Sequence, residues 1–148
     1  MQSSELTFEW LPREAWGLAH SLLLELRPHL SPLELEERLE QQYAELGYEV
    51  AVAKSLGDVV CVAGVRAMLT LSRGRYLHVD DLIVEPSKQR FGVGRQMIEF
   101  LQGEATKRDM AALVLEARPT AIGFYERIGF EHAKSPQMRL TFLSRETR

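Results

Sequence analysis

The plainest chemical signal in this 148-residue chain is the run Gln89-Arg90-Phe91-Gly92-Val93-Gly94. Glycines tolerate positive φ and put no side chain over a turn, so successive N–H groups can converge on one point. A helix starting at this run would aim its unsatisfied N–H groups and its partial positive charge at the same point. Lys88, Arg90 and Arg95 add full charges, and residues 87–95 contain no acid. A pyrophosphate suits such a loop. Two glycines can equally serve a tight strand-to-helix turn, and the spacing fits neither the Walker loop nor the three-glycine dinucleotide fingerprint. A second signal lies just upstream, where Asp80 and Asp81 stand side by side in an apolar, strand-like stretch that also holds His78. Aspartate is depleted in strands, so at least one of the pair is expected to face a substrate.

The elements that must position these residues follow from periodicity and turn chemistry. Residues 6–11 are expected as a strand, and Pro12 opens a helix that runs to about Leu26. Ser31-Pro32-Leu33-Glu34 forms a complete capping box for a second helix, which Gly47 ends. Its outer face carries five glutamates and one arginine, the pattern of a solvated face. Residues 48–56 and 59–71, split by Gly57-Asp58, form a hairpin, with 76–84 as the next strand. Helical spacing returns from Val93 through Met97, Leu101 and Ala105. Residues 111–115 make a short strand, 120–128 a short helix and 137–143 a last strand. The order β-α-α-β-β-β-α-β-α-β describes a mixed-sheet α/β fold in one domain, residues 1–148. A right-handed crossover should place strand 76–84 parallel to 111–115.

Composition bounds the rest. The chain is 45% hydrophobic and 26% charged, with one cysteine, which excludes a disulfide framework or a cysteine-built zinc site. The longest apolar run, residues 59–65, is far short of the ~20 residues that a membrane helix needs. The N-terminus shows no basic segment followed by an apolar one, so a cytoplasmic protein is expected. The net charge of −3 argues against bulk nucleic-acid binding, and neither nucleic acid nor a membrane is expected as a partner. Its distribution is uneven. Residues 1–74 carry 6 basic and 11 acidic side chains, a balance of −5, and residues 75–148 carry 12 and 10, a balance of +2. One local basic loop in an acidic protein suits an anionic ligand held at one point.

Residues 89–94 match the Q/R-x-x-G-x-G/A signature of the GNAT superfamily of N-acyltransferases, directly after a strand ending Leu82-Ile83-Val84-Glu85-Pro86. Thirty residues on, Ala121-Ile122-Gly123-Phe124-Tyr125-Glu126-Arg127-Ile128-Gly129-Phe130 resembles the second signature of that family, A-x-x-x-Y-E-x-x-G-F. Both motifs occur in order, and the element order agrees, so the resemblance covers nearly the whole chain. Leu26-Arg27-Pro28-His29-Leu30, with Val79-Asp80-Asp81-Leu82, further resembles a bacterial subgroup whose substrates are mostly unassigned.

The resemblance implies a fold, an activity and a set of roles. The expected co-substrate is acetyl-CoA, with no metal, and the acceptor a primary amine that attacks the thioester directly. Backbone N–H groups of Gln89, Arg90, Phe91, Gly92, Val93 and Gly94, with Arg95 on the first turn, would hold the pyrophosphate of coenzyme A. A bulged strand before the loop would lend backbone groups of Leu82, Ile83 and Val84 to the pantetheine arm. Tyr125 matches the tyrosine that protonates the departing thiolate, a task a phenol can perform. The base lies at positions matching His78 and Asp80, with Asp81 the spare candidate if a bulge changes the alternation. Imidazole titrates near neutrality without tuning, whereas a carboxylate needs burial to become a base or else binds the ammonium group.

Arg118 stands where the family often has asparagine, which puts that cofactor contact in doubt. Asp81 and Glu116 are candidates for binding the amine, although a surface carboxylate is the plainer reading of Glu116. Cys61 is expected as a small core residue, and His20, His29 and His132 have no metal-ligand spacing. The loop at residues 26–30 would set acceptor specificity, and a homodimer is an assembly the sequence allows. Alternative functions are a protein amine acceptor, a longer acyl donor, a non-catalytic acyl-CoA sensor, or a nucleotide-binding module outside this family.

Overall fold

The computed structural model describes residues 5–143. The chain divides into two compact units, Met1–Glu116 and Ala117–Arg148. The first is built on a five-stranded sheet of β1 (Leu6–Trp10), β2 (Glu49–Ser55), β3 (Asp58–Thr70), β4 (Gly74–Val84) and β5 (Leu113–Leu115), in that spatial order. Strands β1 to β4 pair antiparallel, and β5 pairs parallel with β4. The connection between β4 and β5 carries α3 (Val93–Lys107), the crossover that the sequence leads one to expect.

Three helical elements lie between β1 and β2 and share a core with the sheet. Residues 13–19 form a tight 3-10 stretch before α1 (His20–Leu26), rather than one continuous α-helix. The Ala15 N–H closes on the Pro12 carbonyl at 2.8 Å, and the Trp16 indole N–H donates to the Leu11 carbonyl at 3.2 Å, drawing the first turns tight. Helix α2 (Pro32–Leu46) starts at Ser31 with both bonds of its capping box formed and ends at Gly47. Leu35 and Leu39 bury as expected, but Tyr43 and Leu46 remain largely exposed.

One core joins Trp16, Leu22 and Leu23 with Leu35, Leu39, Tyr48, Val50, Val52 and Val62, and Ile83 packs against it. Val62, Gly64 and Arg66 of β3 therefore point towards α1 and α2, while Ala63 and Val65 alternate to the other face. Helix α3 packs on β3 and β4, with Met97 and Leu101 fully buried. Among the described residues no helix is long and apolar enough to cross a membrane.

The second unit contains a 3-10 turn at Pro119–Ala121 and α4 (Ile122–Arg127). Residues 137–143, expected as the last strand, carry no regular structure, and Met138, Leu140 and Phe142 are exposed. Their apolar alternation encodes a preference only. A strand exists through its ladder of inter-strand bonds, which a side-chain pattern cannot supply.

Candidate active site

Strand β4 gathers the polar side chains, and its register explains how. Gly64 lies opposite Asp81 and Val65 opposite Val79, leaving Asp80 as one extra residue in β4. Such a bulge resets the alternation of side chains. Simple alternation would put Asp81 on the face opposite His78 and Asp80. The bulge instead brings all three to the α1–α2 side, where Asp81 meets Tyr48 and Asp80 meets Arg66 and His78.

The two aspartates are held by different partners. Arg66 donates from Nε to Asp80 Oδ2 at 2.6 Å and from Nη2 to Oδ1 at 2.8 Å. His78 Nδ1 lies 3.0 Å from the same Oδ1. Burial opposes the charge on Asp80, but hydrogen bonds from His78 and Arg66, together with the Arg66 charge, outweigh it and hold the carboxyl below its ordinary range. A carboxylate kept ionised in this way is a poor proton acceptor at neutral pH. Of the two base candidates, Asp80 is thus tied to Arg66 and to His78, which meets it through Nδ1.

Asp81 is engaged elsewhere. Arg27 donates to its Oδ1 from Nε at 3.1 Å and from Nη2 at 2.9 Å, and the Tyr48 hydroxyl donates to Oδ2 at 2.6 Å. Both carboxylate oxygens thus have partners within the chain. Burial, and next the Asp81 charge, push the Tyr48 phenol well above its ordinary range, so it stays a donor. Gly64 makes the arrangement fit. A Cβ there would stand 1.6 Å from the Tyr48 hydroxyl.

Past the bulge, β4 has one open side. Strand β5 pairs with it only at Leu77, His78 and Val79, whereas β3 continues along the other side to Val84. Leu82, Ile83 and Val84 thus have no strand beside them on the β5 side among the described residues. The strand then runs through the turn Pro86–Lys88 into the glycine loop. Gln89 donates from Nε2 to the Val84 carbonyl at 3.2 Å, so its side chain ties the loop back to the strand.

Arg90 and Gly92 both sit at φ 77°, the left-handed region. Gly92 is the N-cap of α3 and supplies no capping side chain. The helix makes its first bond from the Gln96 N–H to the Gly92 carbonyl at 3.0 Å, leaving the N–H groups of Val93, Gly94 and Arg95 without an intrahelical acceptor. Val93 is buried and anchors the turn, Phe91 and Arg90 are exposed, and Arg95 lies 3.4 Å from Glu99. The donor set suits an anion with several oxygens.

In the second unit Tyr125 sits mid-helix in α4, its ring edge-on to Phe124 and Phe130 at 5.0 and 5.3 Å. The Phe130 N–H closes the helix on the Tyr125 carbonyl at 3.0 Å. Glu116 and Arg118 are exposed. Cys61 is fully buried, and burial pushes its thiol up to about 12, which fits a core residue and not a nucleophile.

Sequence reasoning missed Arg66 and Tyr48, and placed Arg27 in the loop at residues 26–30 without its partner Asp81. Counting back from the β3–β4 turn, where Thr70 faces Gly74, puts Arg66 opposite His78, so that signal was available. Arg27 and Tyr48 meet Asp81 across distant elements and leave no local mark.

A family model described as "Acetyltransferase (GNAT) domain" matches residues 17–142. Serotonin N-acetyltransferase 2 of Oryza sativa subsp. japonica is 33% identical over 57% of this chain and 35% of its own length. The [Ribosomal protein bS18]-alanine N-acetyltransferase of Escherichia coli (strain K12) is 43% identical over 36% of this chain and 38% of its own length. The chain thus spans little more than a third of each of these curated relatives. The crystal structure of a ribosomal-protein-alanine N-acetyltransferase from Brucella melitensis biovar Abortus 2308 superposes with a TM-score of 0.79 at 20% identity, covering 93% of this chain and 100% of that one, and so shares the fold.

Proposed function

Because the chain belongs to the GNAT acetyltransferase family, and is an acyltransferase, we propose that it transfers the acetyl group of acetyl-CoA to a primary amine by direct attack. One observation carries this reading: the open side of β4 leads straight to the uncapped N-terminus of α3. A strand edge offers amide groups to an extended pantetheine-like arm, and the helix terminus offers N–H groups to its pyrophosphate.

The proposed roles follow from donors and acceptors. With ionised Asp80 accepting from Nδ1, the imidazole of His78 carries its proton there and leaves the Nε2 lone pair for the acceptor. Nε2 takes a proton from the incoming ammonium group, directly or through one water. The freed amine forms the C–N bond to the thioester carbonyl, the C–S bond breaks, Tyr125 gives a proton to the departing thiolate, and the second amine proton leaves through water to restore the phenol. Gly92 to Arg95 hold the phosphates, and Lys88 and Arg90 attract them.

A protein N-terminus is the second acceptor reading, favoured by the likeness to alanine N-acetyltransferases acting on a ribosomal protein. Small amines come first because serotonin is named for the rice relative. The test has two stages. Coenzyme A and acetyl-CoA should raise the melting temperature while NAD and ATP do not; no effect of either coenzyme A species overturns the reading. Thiol release is then followed with serotonin, spermidine, kanamycin, glucosamine 6-phosphate and a peptide bearing an N-terminal alanine. Release with the peptide alone selects the protein acceptor. Tyr125→Phe should slow release by about a hundredfold, and full rate at every pH would remove the acid role.

A further inference from the structure

Two segments singled out in the sequence, residues 26–30 and 79–82, meet in space through the side chain of Arg27. Arg27 is the first residue after α1, and Pro28 behind it bars the helix from continuing. Its guanidinium reaches β4 and makes three bonds there: two to Asp81 Oδ1 and one, from Nη2, to the Asp80 main-chain carbonyl at 3.0 Å. That carbonyl belongs to the extra residue of the bulge. Asp81 is steadied from the other side by Tyr48, over the space that Gly64 leaves open.

We propose that Arg27 is a positioning residue for the acceptor: it pins the start of the α1–α2 loop to the bulge of β4 and so sets the distance between that loop and His78. The inference rests on the functional reading above, in which His78 is the base, and on the expectation from the family resemblance that the loop at residues 26–30 sets acceptor specificity. Asp80 is gripped separately by Arg66, so His78 keeps its orientation when Arg27 is lost. The loss then falls on the loop. Within that loop the Leu30 N–H donates to the Arg27 carbonyl at 3.1 Å, so the turn is anchored on the pinned residue itself. Asp81, with its side chain 15% exposed, is left as a partly buried charge held, among the described residues, by the Tyr48 hydroxyl and the more distant Arg66 charge. This makes the pair a single unit, whose halves have little value apart.

The experiment compares the full chain with Arg27→Gln, Asp81→Asn and the double variant, using the best acceptor found among the five amines above. Acetyl-CoA affinity should stay within about twofold and kcat likewise, while the acceptor KM rises about tenfold or more in each single variant. The double variant should be no worse than the singles, because coupled residues lose their interaction only once. Amide hydrogen exchange at residues 29–31 should quicken roughly tenfold in Arg27→Gln, with α3 unchanged. An unchanged acceptor KM, additive losses, or unaltered exchange at 29–31 would each overturn the proposal. If Arg27→Gln folds poorly, Tyr48→Phe, which loosens Asp81 from the other side, should raise KM in the same direction by a smaller factor. A wild-type chain that binds no acetyl-CoA removes the functional reading instead, and the exchange result then still shows whether Arg27 holds the loop.

Discussion

On the bulge of β4, Arg66 grips Asp80 with two nitrogens and Arg27 grips Asp81 with two more. A few residues on, in the loop before α3, Arg90 is exposed, Arg95 meets Glu99 at 3.4 Å, and three helix N–H groups lack an intrahelical acceptor. The two regions adjoin on one strand and carry charge to opposite ends. At the bulge each charge is answered by a neighbour, which gives rigid geometry. In the loop, donors point outward, which gives capacity for an anion. Formal charge counts treat the two alike, but only the second arrangement leaves electrostatic energy for a ligand.

The largest expected effect lies in the loop. Gly92→Val forces a β-branched residue to φ 77°, although a Cβ there would meet nothing closer than Gln96 at 3.9 Å. The obstacle is backbone strain and not space. Acetyl-CoA affinity should fall about a hundredfold, near 3 kcal/mol, as calorimetry would read it. Unchanged affinity would mean that the open donors are not the anion seat.

Gly64→Ala attacks the bulge side by the opposite means, since here the obstacle is space. The new Cβ would collide with the Tyr48 hydroxyl, so the ring must leave Asp81. A stability loss of about 3 kcal/mol is expected in urea unfolding. A loss below about 0.5 kcal/mol, within the range of an ordinary surface change, would show that the bulge tolerates rearrangement.

Acid titration sharpens the contrast further. The carboxyl of Asp80 is held below its ordinary range in the fold, so its contribution is present above the unfolded pKa of about 3.9 and is lost as pH falls through the folded value. Asp80→Asn should therefore be less stable than wild type at neutral pH by about 1–3 kcal/mol, with the gap closing in acid. A gap that is constant with pH would remove the ion pair as its cause. Arg90→Ala should show the smallest effect, a loss of coenzyme A affinity of about threefold that vanishes at high salt. Salt-independent loss would argue for a fixed contact.

Much of the local structure could be read from residue order. The capping box at Ser31 formed in full, α3 spans Val93–Lys107 as its spacing implied, and the parallel crossover to β5 followed from handedness. These features depend on neighbours three or four residues away, or on chirality, and sequence contains that information directly. The 3-10 stretch before α1 and the exposed residues 137–143 departed from expectation. Each depends on partners that residue order does not specify: an indole reaching back to Leu11, and a ladder neighbour for the last segment.

By itself, the sequence determined the glycine loop, the phenol of Tyr125, the polar trio of β4 and the family to which they point. Only the tertiary structure decided which face the trio occupies and which partners each member meets. A one-residue bulge opposite Gly64 and Val65 put Asp81 beside Asp80, and two arginines from different elements then satisfied both carboxylates. Alternation is a property of one strand, whereas register and ion pairing belong to strands and helices that meet. That is the physical reason why the donor pattern of the loop was visible in residue order, while the partners of His78, Asp80 and Asp81 were not.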